Sequence, residues 1–411
     1  MKKSITVLFL LLVALCGATG AFAQSESDFE VTTANGQVTI TKYTGSATSV
    51  VIPATIGRVP VVAIGGWAFN GHPNLTSISI PAGLTGISNT AFLGCTSLTS
   101  ILVDTNNTYY TSINGVLFKK TGDTLIIYPA GLKGPYAIPV GVTSIGNNAF
   151  HGCTGLTSVS IPASVTNIGG SSFSGCTGLA SILVDTNNNH YASHNGVLLN
   201  KTGDMLITYP IGLKGQYAIP SGVIKIEAST FSGCTGLTSI SIPASVTSIG
   251  DYAFIGCTGL TSILVDANNN HYTSHNGVLF SKTGDTLIIY PARLKGQYAI
   301  PAGVAYITFG AFSDCVGLTS VSIPSGVTVI FPDAFSGCTG LTLVSIPASV
   351  TSIGHGAFSG YTGPITIRIG ANVNVDTTDM IKDDFNIYYS GNGSKAGVYT
   401  FRNGAWSYAA R

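Results

Sequence analysis

Two histidine pairs come closest to the residue spacing of a metal site. His190 and His194 are separated by three residues, and His271 and His275 repeat the pair further along the chain. Imidazole nitrogens at this spacing can hold zinc when both lie on one face of a helix. Here both pairs lie in a polar, asparagine-rich loop, and the first copy of the segment lacks both histidines. The sequence therefore predicts no metal at these pairs.

A second candidate for chemistry is an oxygen-rich motif, Asp104-Thr-Asn-Asn107, which recurs from Asp185 and from Asp266. Calcium prefers carboxylate and amide oxygens of this kind. The same residues also form Asx turns, in which the side chain bonds to its own backbone. Both interpretations stay open at the sequence level.

Seven cysteines occupy one position of a repeated segment, which favours a ladder of small buried thiols. Disulfides between successive repeats are the alternative in an exported protein. A metal cluster is disfavoured because C-x-x-C is absent from the sequence. The seven residues are Cys95, Cys153, Cys176, Cys234, Cys257, Cys315 and Cys338.

The motifs of common enzymes are missing from the sequence. It contains no H-E-x-x-H, no G-x-S-x-G, no P-loop and no dinucleotide-binding glycine fingerprint. Net charge is +1 and 9% of residues are charged, whereas nucleic-acid binding needs a basic stripe. We therefore predict a protein that is not an enzyme, has no cofactor and does not bind nucleic acid.

These residues are positioned by a repeat, seen most clearly in Leu237–Cys257. The proline of its Ser-Ile-Pro motif marks successive units, with an Asp or Gly at some marks. Most steps are 23 residues, three are 35 and the first is 28. A fixed period in this range indicates a solenoid. The thirteen marks are Pro53, Pro81, Asp104, Pro139, Pro162, Asp185, Pro220, Pro243, Asp266, Pro301, Pro324, Pro347 and Gly370.

Each unit has a physical pattern. Ile240 and Ile242 flank a serine, as in a strand with one buried face, and Pro243 ends that strand. A second, less certain strand ends at Ile249, and Phe254 lies in a tight 3₁₀-like turn. Coils stacked about 4.8 Å apart give a rod or arc roughly 60 Å long. This stacking predicts one internal column of rings that contains Phe92, Phe173, Phe254 and Phe335.

The pattern Leu-x-x-Ile-x-Ile-Pro-x-x-Val-x-x-Ile-Gly-x-x-Ala-Phe-x-x-Cys resembles the BspA-like, bacterial surface-antigen class of leucine-rich repeat. The resemblance extends from about Val50 to Gly370. It implies a leucine-rich-repeat solenoid, mainly β with short 3₁₀ turns. We expect about thirteen stacked coils, three of them with inserted β-hairpins, and a cap at each end. The resemblance also implies adhesion to host matrix proteins, host cells or other bacteria.

The first residues read as a secretory signal. Lys2 and Lys3 precede an apolar run, and Ala21-Phe-Ala23 supplies an A-x-A cleavage site. We therefore predict an exported protein, at the cell surface or extracellular. A lipid anchor at Cys16 is the alternative, although the residue before Cys16 is unsuited to a lipoprotein box. No later apolar run reaches the 18 residues of a transmembrane span.

The predicted domain organisation has four parts. Residues 1–23 form the signal peptide, and residues 24–48 form an N-terminal β-hairpin cap around Asn35-Gly36. Residues 49–371 form the solenoid. Residues 372–411 form a C-terminal β cap with a hairpin at Asn403-Gly404, or alternatively a separate wall-binding or partner-binding module.

Each 35-residue coil carries an insert that predicts a β-hairpin in place of the Ala-Phe turn. Three equal inserts should project from one side and gain avidity for a repetitive partner. The alternative is that they only thicken the convex side. Candidate contact residues on the inserts are Tyr109, Tyr110, Lys119, Lys120, Tyr191, Lys201, Tyr272 and Lys282.

Rows of hydroxyl side chains between the buried strand positions form a second candidate surface. Ser and Thr are common on solvent-facing strands, but a flat uncharged face could also hold a protein strand or a glycan. The candidate residues are Thr157, Ser158, Ser160, Thr238, Ser239 and Ser241.

Together these features predict an adhesin-like binding protein that is secreted or held at the cell surface. It would recognise a protein or glycan of host matrix, host cells or another bacterial surface through a repeated solenoid face. The alternative function is a structural component of the cell envelope or surface layer without a specific host ligand.

Overall fold

The computed structural model describes residues 24–361, 363–375 and 385–410. The predicted signal peptide, including Cys16, lies outside the described residues. Within these residues the chain is a β-solenoid of about fifteen turns. No helix in the described part of the chain has the length and hydropathy needed to cross a bilayer.

Thirteen described strands, one for each mark of the repeat, belong to four sheets, within each of which they pair in parallel. We call these strands the front row. Each places apolar residues inward, and most outward positions hold Ser, Thr or Ala, because successive strand side chains point to opposite faces. The strands are Ser49–Val51, Ser77–Ile80, Ser100–Val103, Gly134–Ala137, Leu156–Ile161, Ser181–Val184, Gly215–Ala218, Leu237–Ile242, Ser262–Val265, Gly296–Ala299, Leu318–Ser322, Leu343–Ser345 and Ile365–Ile369.

A second row of strands, the side row, follows the front-row strand in each coil. Most of its members have only two residues. In some coils a turn glycine follows at once, and at Gly250 an added Cβ would overlap the backbone of Ala228 in the preceding coil. The strands are Val59–Ile64, Gly86–Ile87, Thr124–Ile127, Ser144–Ile145, Asn167–Ile168, Met205–Thr208, Lys225–Ile226, Ser248–Ile249, Thr286–Ile289, Tyr306–Ile307, Val329–Ile330, Ser352–Ile353 and Asn374–Val375.

The Ala-Phe segment is a tight turn, as predicted. Its backbone makes bonds three residues apart, for example from Cys153 N to Phe150 O at 3.1 Å. The rings of successive coils stack: Phe312 and Phe335 have centroids 4.8 Å apart, and Phe335 and Phe358 are 5.3 Å apart. One aromatic ring per coil therefore fills the core.

The predicted N-terminal hairpin is present, with strands Phe29–Ala34 and Gln37–Tyr43 after a 3₁₀ turn at Glu26–Asp28. Its second strand pairs in parallel with Val59–Ile64. Tyr43 stacks on Phe69 at 5.3 Å, in the position of a repeat phenylalanine. The cap thus contributes a further turn, so the number of turns exceeds the thirteen predicted. A short strand, Thr55–Ile56, pairs with the start of Val59–Ile64.

The C-terminal end is closed by an antiparallel hairpin of Gly397–Arg402 and Ala405–Ala410, which extends the front row. A short helix, Phe385–Gly391, precedes it and was not predicted. Phe385 packs edge-on against Phe358, at 5.7 Å between centroids. Aromatic side chains thereby cover the last coil.

Each 35-residue coil contains a three-stranded antiparallel meander, one strand more than the predicted hairpin. Its last strand lies in the side row, as Thr124–Ile127 does in the first long coil. The first two strands are Tyr110–Ile113 and Val116–Lys119, then Tyr191–His194 and Val197–Asn200, then Tyr272–His275 and Val278–Ser281.

The insert does not replace the Ala-Phe turn, contrary to the prediction. Tyr128 takes the place of the phenylalanine in the first long coil: its ring lies 5.1 Å from that of Phe150. Its backbone N bonds to Ala149 O, as Phe231 N bonds to Ala253 O in a standard coil. Tyr209 and Tyr290 stack in the same way on Phe231 and Phe312.

The middle strand of each meander is buried, so the predicted projecting hairpin is also wrong. Leu117 packs with the preceding core cluster, whereas Val116 and Phe118 pack with the following one. The described residues therefore form four core clusters. The middle strands of the three meanders separate these clusters, and we call them the partition strands. Ring contacts end at Phe92 and begin again at Tyr128, so the predicted single column is divided into blocks.

Candidate functional site

The outward positions of the front row form an almost uncharged surface, which we call the front face. Ser160 and Ser241 are exposed on it, as are Thr157 and Thr238, whereas the flanking Ser158 and Ser239 are half-buried. The charged side chain of Arg368 enters the outward row only at its C-terminal end. The predicted hydroxyl rows are therefore present as a surface.

Three leucines at 81-residue intervals interrupt the hydroxyls of the front face, and the sequence prediction missed them. Val51 and Leu343 are further exposed apolar residues on this face, outside that interval. Leu102, Leu183 and Leu264 are 51%, 50% and 55% exposed. Leu183 pairs in register with Ser160, and Leu264 pairs in the same way with Ser241. The sequence did contain a sign of them. In Ser-Ile-Leu-Val, Leu takes the outward position that the second Ser has in Ser-Ile-Ser-Ile.

Of the candidate tyrosines on the inserts, Tyr109 is 54% exposed, but Tyr110 is buried, which corrects the prediction. The Tyr110 hydroxyl accepts a bond from Ile87 N at 3.0 Å and donates to Thr85 O at 3.2 Å. It thus caps the side-row strand where the row is interrupted.

Tyr191 and Tyr272 are half-buried and have the same structural role as Tyr110. Tyr191 accepts a hydrogen bond from Ile168 N at 3.1 Å. Tyr272 donates to Thr247 O at 3.5 Å. Their hydroxyls therefore face the solenoid backbone.

The candidate lysines are exposed, and three of them fasten the Asp-Asn turn. Lys120 Nζ donates to Thr105 O at 3.1 Å, and Lys201 Nζ donates to Thr186 O at the same distance. Lys282 Nζ lies 3.4 Å from Ala267 O. Lys119, the neighbour of Lys120 in the sequence, is also exposed. The ammonium groups of Lys120, Lys201 and Lys282 therefore have a structural contact within their own coils.

The Asp-Asn turns are built around a fully buried asparagine. Asn107 Nδ2 donates to Pro81 O and Leu84 O, both at 2.9 Å. Its Oδ1 accepts from the backbone N of Tyr109 and of Tyr110, both at 2.8 Å. Asn188 and Asn269 make the same bonds. The structure thus gives this side chain the Asx-turn role, with both polar atoms already bonded.

The histidine pairs are at the ends of strands. His194 ends the strand Tyr191–His194, and His190 immediately precedes it. Four residues of extended chain separate two Cα atoms by about 13 Å, too far for both imidazoles to hold one zinc. Among the described residues, no group of three or more His, Cys, Asp and Glu side chains is placed to hold a metal.

The sequence was also compared with family models and solved structures. The model for the BspA type leucine-rich repeat region matches residues 20–133, 135–195, 215–295 and 296–388, in six copies. These residues make up well over half of the chain. The chain belongs to this family.

Solved leucine-rich repeat proteins resemble this BspA-type protein over most of their length. A leucine-rich cell surface protein from Faecalibacterium prausnitzii A2-165 is 27% identical, with 87% of this chain and 95% of that chain covered and a TM-score of 0.41. A leucine-rich repeat protein from Eubacterium ventriosum ATCC 27560 is 24% identical, with 86% and 95% covered and a TM-score of 0.42. The pneumococcal vaccine antigen PcpA is 17% identical, with 89% and 94% covered and a TM-score of 0.39. No curated protein matches the sequence.

In this BspA-type solenoid all seven described cysteines are free and buried, which confirms the predicted thiol ladder. Each thiol lies against the carbonyl of the ring residue one coil earlier. Cys176 Sγ donates to Phe150 O at 2.9 Å, for example, and Cys338 Sγ donates to Phe312 O at 2.9 Å. Burial raises the pKa of Cys95 and Cys257 to about 12. Since the thiolate is the reactive form, these groups are structural.

The BspA-type repeat also contains three clefts, one at each long coil, which the sequence did not indicate. Each begins at the last ring of one block, at Phe92, Phe173 and Phe254. Their volumes are about 20, 550 and 190 Å³ in chain order. We call them the first, middle and third clefts.

Proposed function

We propose that this protein is an exported, non-enzymatic binding protein of the adhesin type, which attaches to a protein surface through its front face. The observation that carries the proposal is the repeated exposure of Leu102, Leu183 and Leu264 on a face that is rich in hydroxyl groups and almost uncharged. Half-exposed leucines at equal intervals provide apolar contact area, and the surrounding hydroxyls provide hydrogen-bonding partners.

The arrangement suits a partner that is itself extended or repetitive. Three equivalent patches on one rigid scaffold bind such a partner with an avidity greater than the affinity of a single patch. Membership of the BspA-type family supports a location outside the cell. The partner class we propose is a host matrix protein, a host cell or another bacterial surface.

The experiment is solid-phase binding of the mature protein to a panel of matrix proteins and whole bacteria. The test variant carries Leu102→Ser, Leu183→Ser and Leu264→Ser, which copies the serine found at the paired position of the preceding coil. The control is Val140→Ser, at a side chain that is 93% exposed outside the front row. We expect the triple variant to lose most binding and the control to retain it.

Equal binding by the triple variant and the control would overturn the assignment to the front face. Failure of the unmodified protein to bind any surface in the panel would contradict an adhesin and favour the alternative, a structural component of the envelope.

A further inference from the structure

The middle cleft is larger than the third cleft because two aromatic side chains of the third cleft are absent from it. In the third cleft, Tyr252 and Phe309 have ring centroids 5.4 Å apart and fill the opening. The equivalent residues of the middle cleft, 81 positions earlier, are Ser171 and Ala228. Ser171 has the same left-handed backbone as Tyr252, with φ of 55° against 56°. The difference between the clefts is thus one of side chains on equivalent backbones.

The middle cleft also differs from the first and third clefts in volume. Small-molecule sites in proteins have volumes of about 300–1,000 Å³. The middle cleft, at about 550 Å³, falls in this range, whereas the first and third clefts fall below it. Only one of the three equivalent positions therefore has room for a ligand of this class.

The lining of the middle cleft offers hydroxyl groups that have no partner. Thr230 Oγ1 and Ser172 Oγ are engaged by backbone carbonyls. Among the described residues, no side-chain hydrogen bond is made by the five other Ser and Thr hydroxyls of the lining. These five belong to Ser171, Ser174, Thr208, Ser229 and Ser232.

Apolar side chains form the rest of the lining. The ring of Tyr191 and the side chains of Met205, Ile207 and Ile211 are half-buried against the opening. Hydroxyls that need partners, set beside exposed aromatic and aliphatic carbon, match a ligand with both polar edges and an apolar face. A pyranose ring has this combination, because its C–H groups form apolar patches between its hydroxyls.

The charge of the cleft is balanced. Glu227 is the acid in its lining, and its Oε1 lies 2.8 Å from Lys225 Nζ. No other charged side chain lines the cleft, so a charged ligand would find no unpaired counter-ion. The Glu227 carboxylate retains lone pairs that can accept bonds from ligand hydroxyls.

From these observations we propose that the middle cleft binds one neutral sugar unit, free or as part of a glycan. The unit would stack its apolar face on Tyr191 and Met205 and bond its hydroxyls to Ser171, Ser174 and Ser232. None of the lining residues belongs to the front row. The proposal is therefore independent of protein binding by the front face, and the two can fail separately.

The first experiment is titration calorimetry or saturation-transfer NMR of the mature protein with methyl glycosides of glucose, galactose, mannose and N-acetylglucosamine. The closing variant carries Ser171→Tyr and Ala228→Phe, the residues that the third cleft has at these positions. We expect at least one glycoside to bind, and the closing variant to weaken it by about tenfold or more with an unchanged melting temperature. Unchanged affinity in the closing variant, or no binding of any glycoside up to about 50 mM, would overturn the proposal.

A second variant tests whether the hydroxyl groups bind the sugar, and it leaves the cleft open. It can be used if the closing variant fails to fold. Ser174→Ile with Ser229→Gly again copies the third cleft, which has Ile255 and Gly310 there. We expect sugar binding to fall while an apolar probe, indole, binds at least as well as before. Sugar affinity equal to that of the unmodified protein, or indole preferred over every glycoside by the unmodified protein, would refute the assignment to a sugar.

Discussion

A standard 23-residue coil and a 35-residue coil begin with the same kind of front-row strand and end at the same ring position. The standard coil adds one strand to each row and one ring to the column, so the core continues. The long coil inserts a buried strand between the rows, and the core stops and restarts. The comparison shows that one repeat can either extend a solenoid or divide it, depending on twelve added residues.

The largest expected effect tests the continuous part of the core. Phe335→Ala removes a ring stacked on both sides and should lower the free energy of unfolding by about 3–5 kcal/mol. Phe173→Ala removes a ring stacked on one side and open to the middle cleft on the other, so its cost should be nearer 3 kcal/mol.

Urea unfolding monitored by circular dichroism measures both costs. Trp67→Ala, at a ring that is 62% exposed, is the control and should change stability by about 0.5 kcal/mol or less. If Phe335→Ala and Phe173→Ala lower the free energy of unfolding equally, a ring inside a block is no more stabilising than a ring at its edge, which contradicts the prediction.

A second prediction concerns the turn that opens each long coil. Asn188→Ala leaves buried backbone groups without partners and should cost about 1–3 kcal/mol for each group that stays unsatisfied. Asn187→Ala, at the exposed neighbour, should have little effect. A thermal melt measures both.

Melts with calcium and with a chelator extend this test. The Asx-turn role of Asn188 predicts equal melting temperatures in the two conditions. A calcium-dependent rise that is lost in Asn188→Ala would instead support the cation interpretation of the Asp-Asn motif.

A smaller effect is expected where the side row is interrupted. Tyr110→Phe removes the hydroxyl that bonds Ile87 N and Thr85 O and should cost about 0.5–1.5 kcal/mol. Tyr109→Phe is a matched control at an exposed ring. If both variants unfold at the same urea concentration, the hydroxyl does not stabilise the edge of the block.

The smallest effect is a pH dependence specific to the long coils. In each meander turn a side-chain donor lowers the pKa of an aspartate: Thr121 for Asp123, Asn200 for Asp204 and Ser281 for Asp285. A lowered folded-state pKa stabilises the protein above the unfolded value of 3.8, and this contribution disappears as the pH falls through the folded-state pKa.

Thermal melts at pH 6 and below pH 4 test this prediction. The triple variant Asp123→Asn, Asp204→Asn and Asp285→Asn should lose less melting temperature on acidification than the unmodified protein. An identical acid shift in both proteins would show that these turns do not contribute.

The sequence predicted the parts of the fold that depend on strict periodicity. The front row, the tight Phe254 turn and the buried thiols follow from apolar residues at fixed offsets, because each coil packs only on its neighbours. Even the buried Asn107 was within the Asp-x-x-Asn motif, although the sequence did not distinguish an Asx turn from a calcium ligand.

The long coils were harder to predict because their outcome depends on contacts between blocks. The run Val116-Leu-Phe118 indicated a strand, but a continuous apolar run does not show which neighbours bury it. Pro129 and Leu132 have the spacing of Cys95 and Leu98. The ring residue, however, lies one position before Pro129 and three before Cys95, so this spacing did not identify Tyr128. The clefts follow from the break between blocks, for which the sequence offered no local pattern.

The partition strands have a consequence for how such a protein changes length. Each partition strand packs one side chain into the preceding core cluster and two into the following one. In the first strand these are Leu117 and then Val116 and Phe118. In the second they are Leu198 and then Val197 and Leu199. Every 81-residue block therefore begins and ends with the same kind of joint. In-frame duplication or loss of one such unit in the gene would join compatible ends, and the molecule would become longer or shorter without a new interface having to evolve.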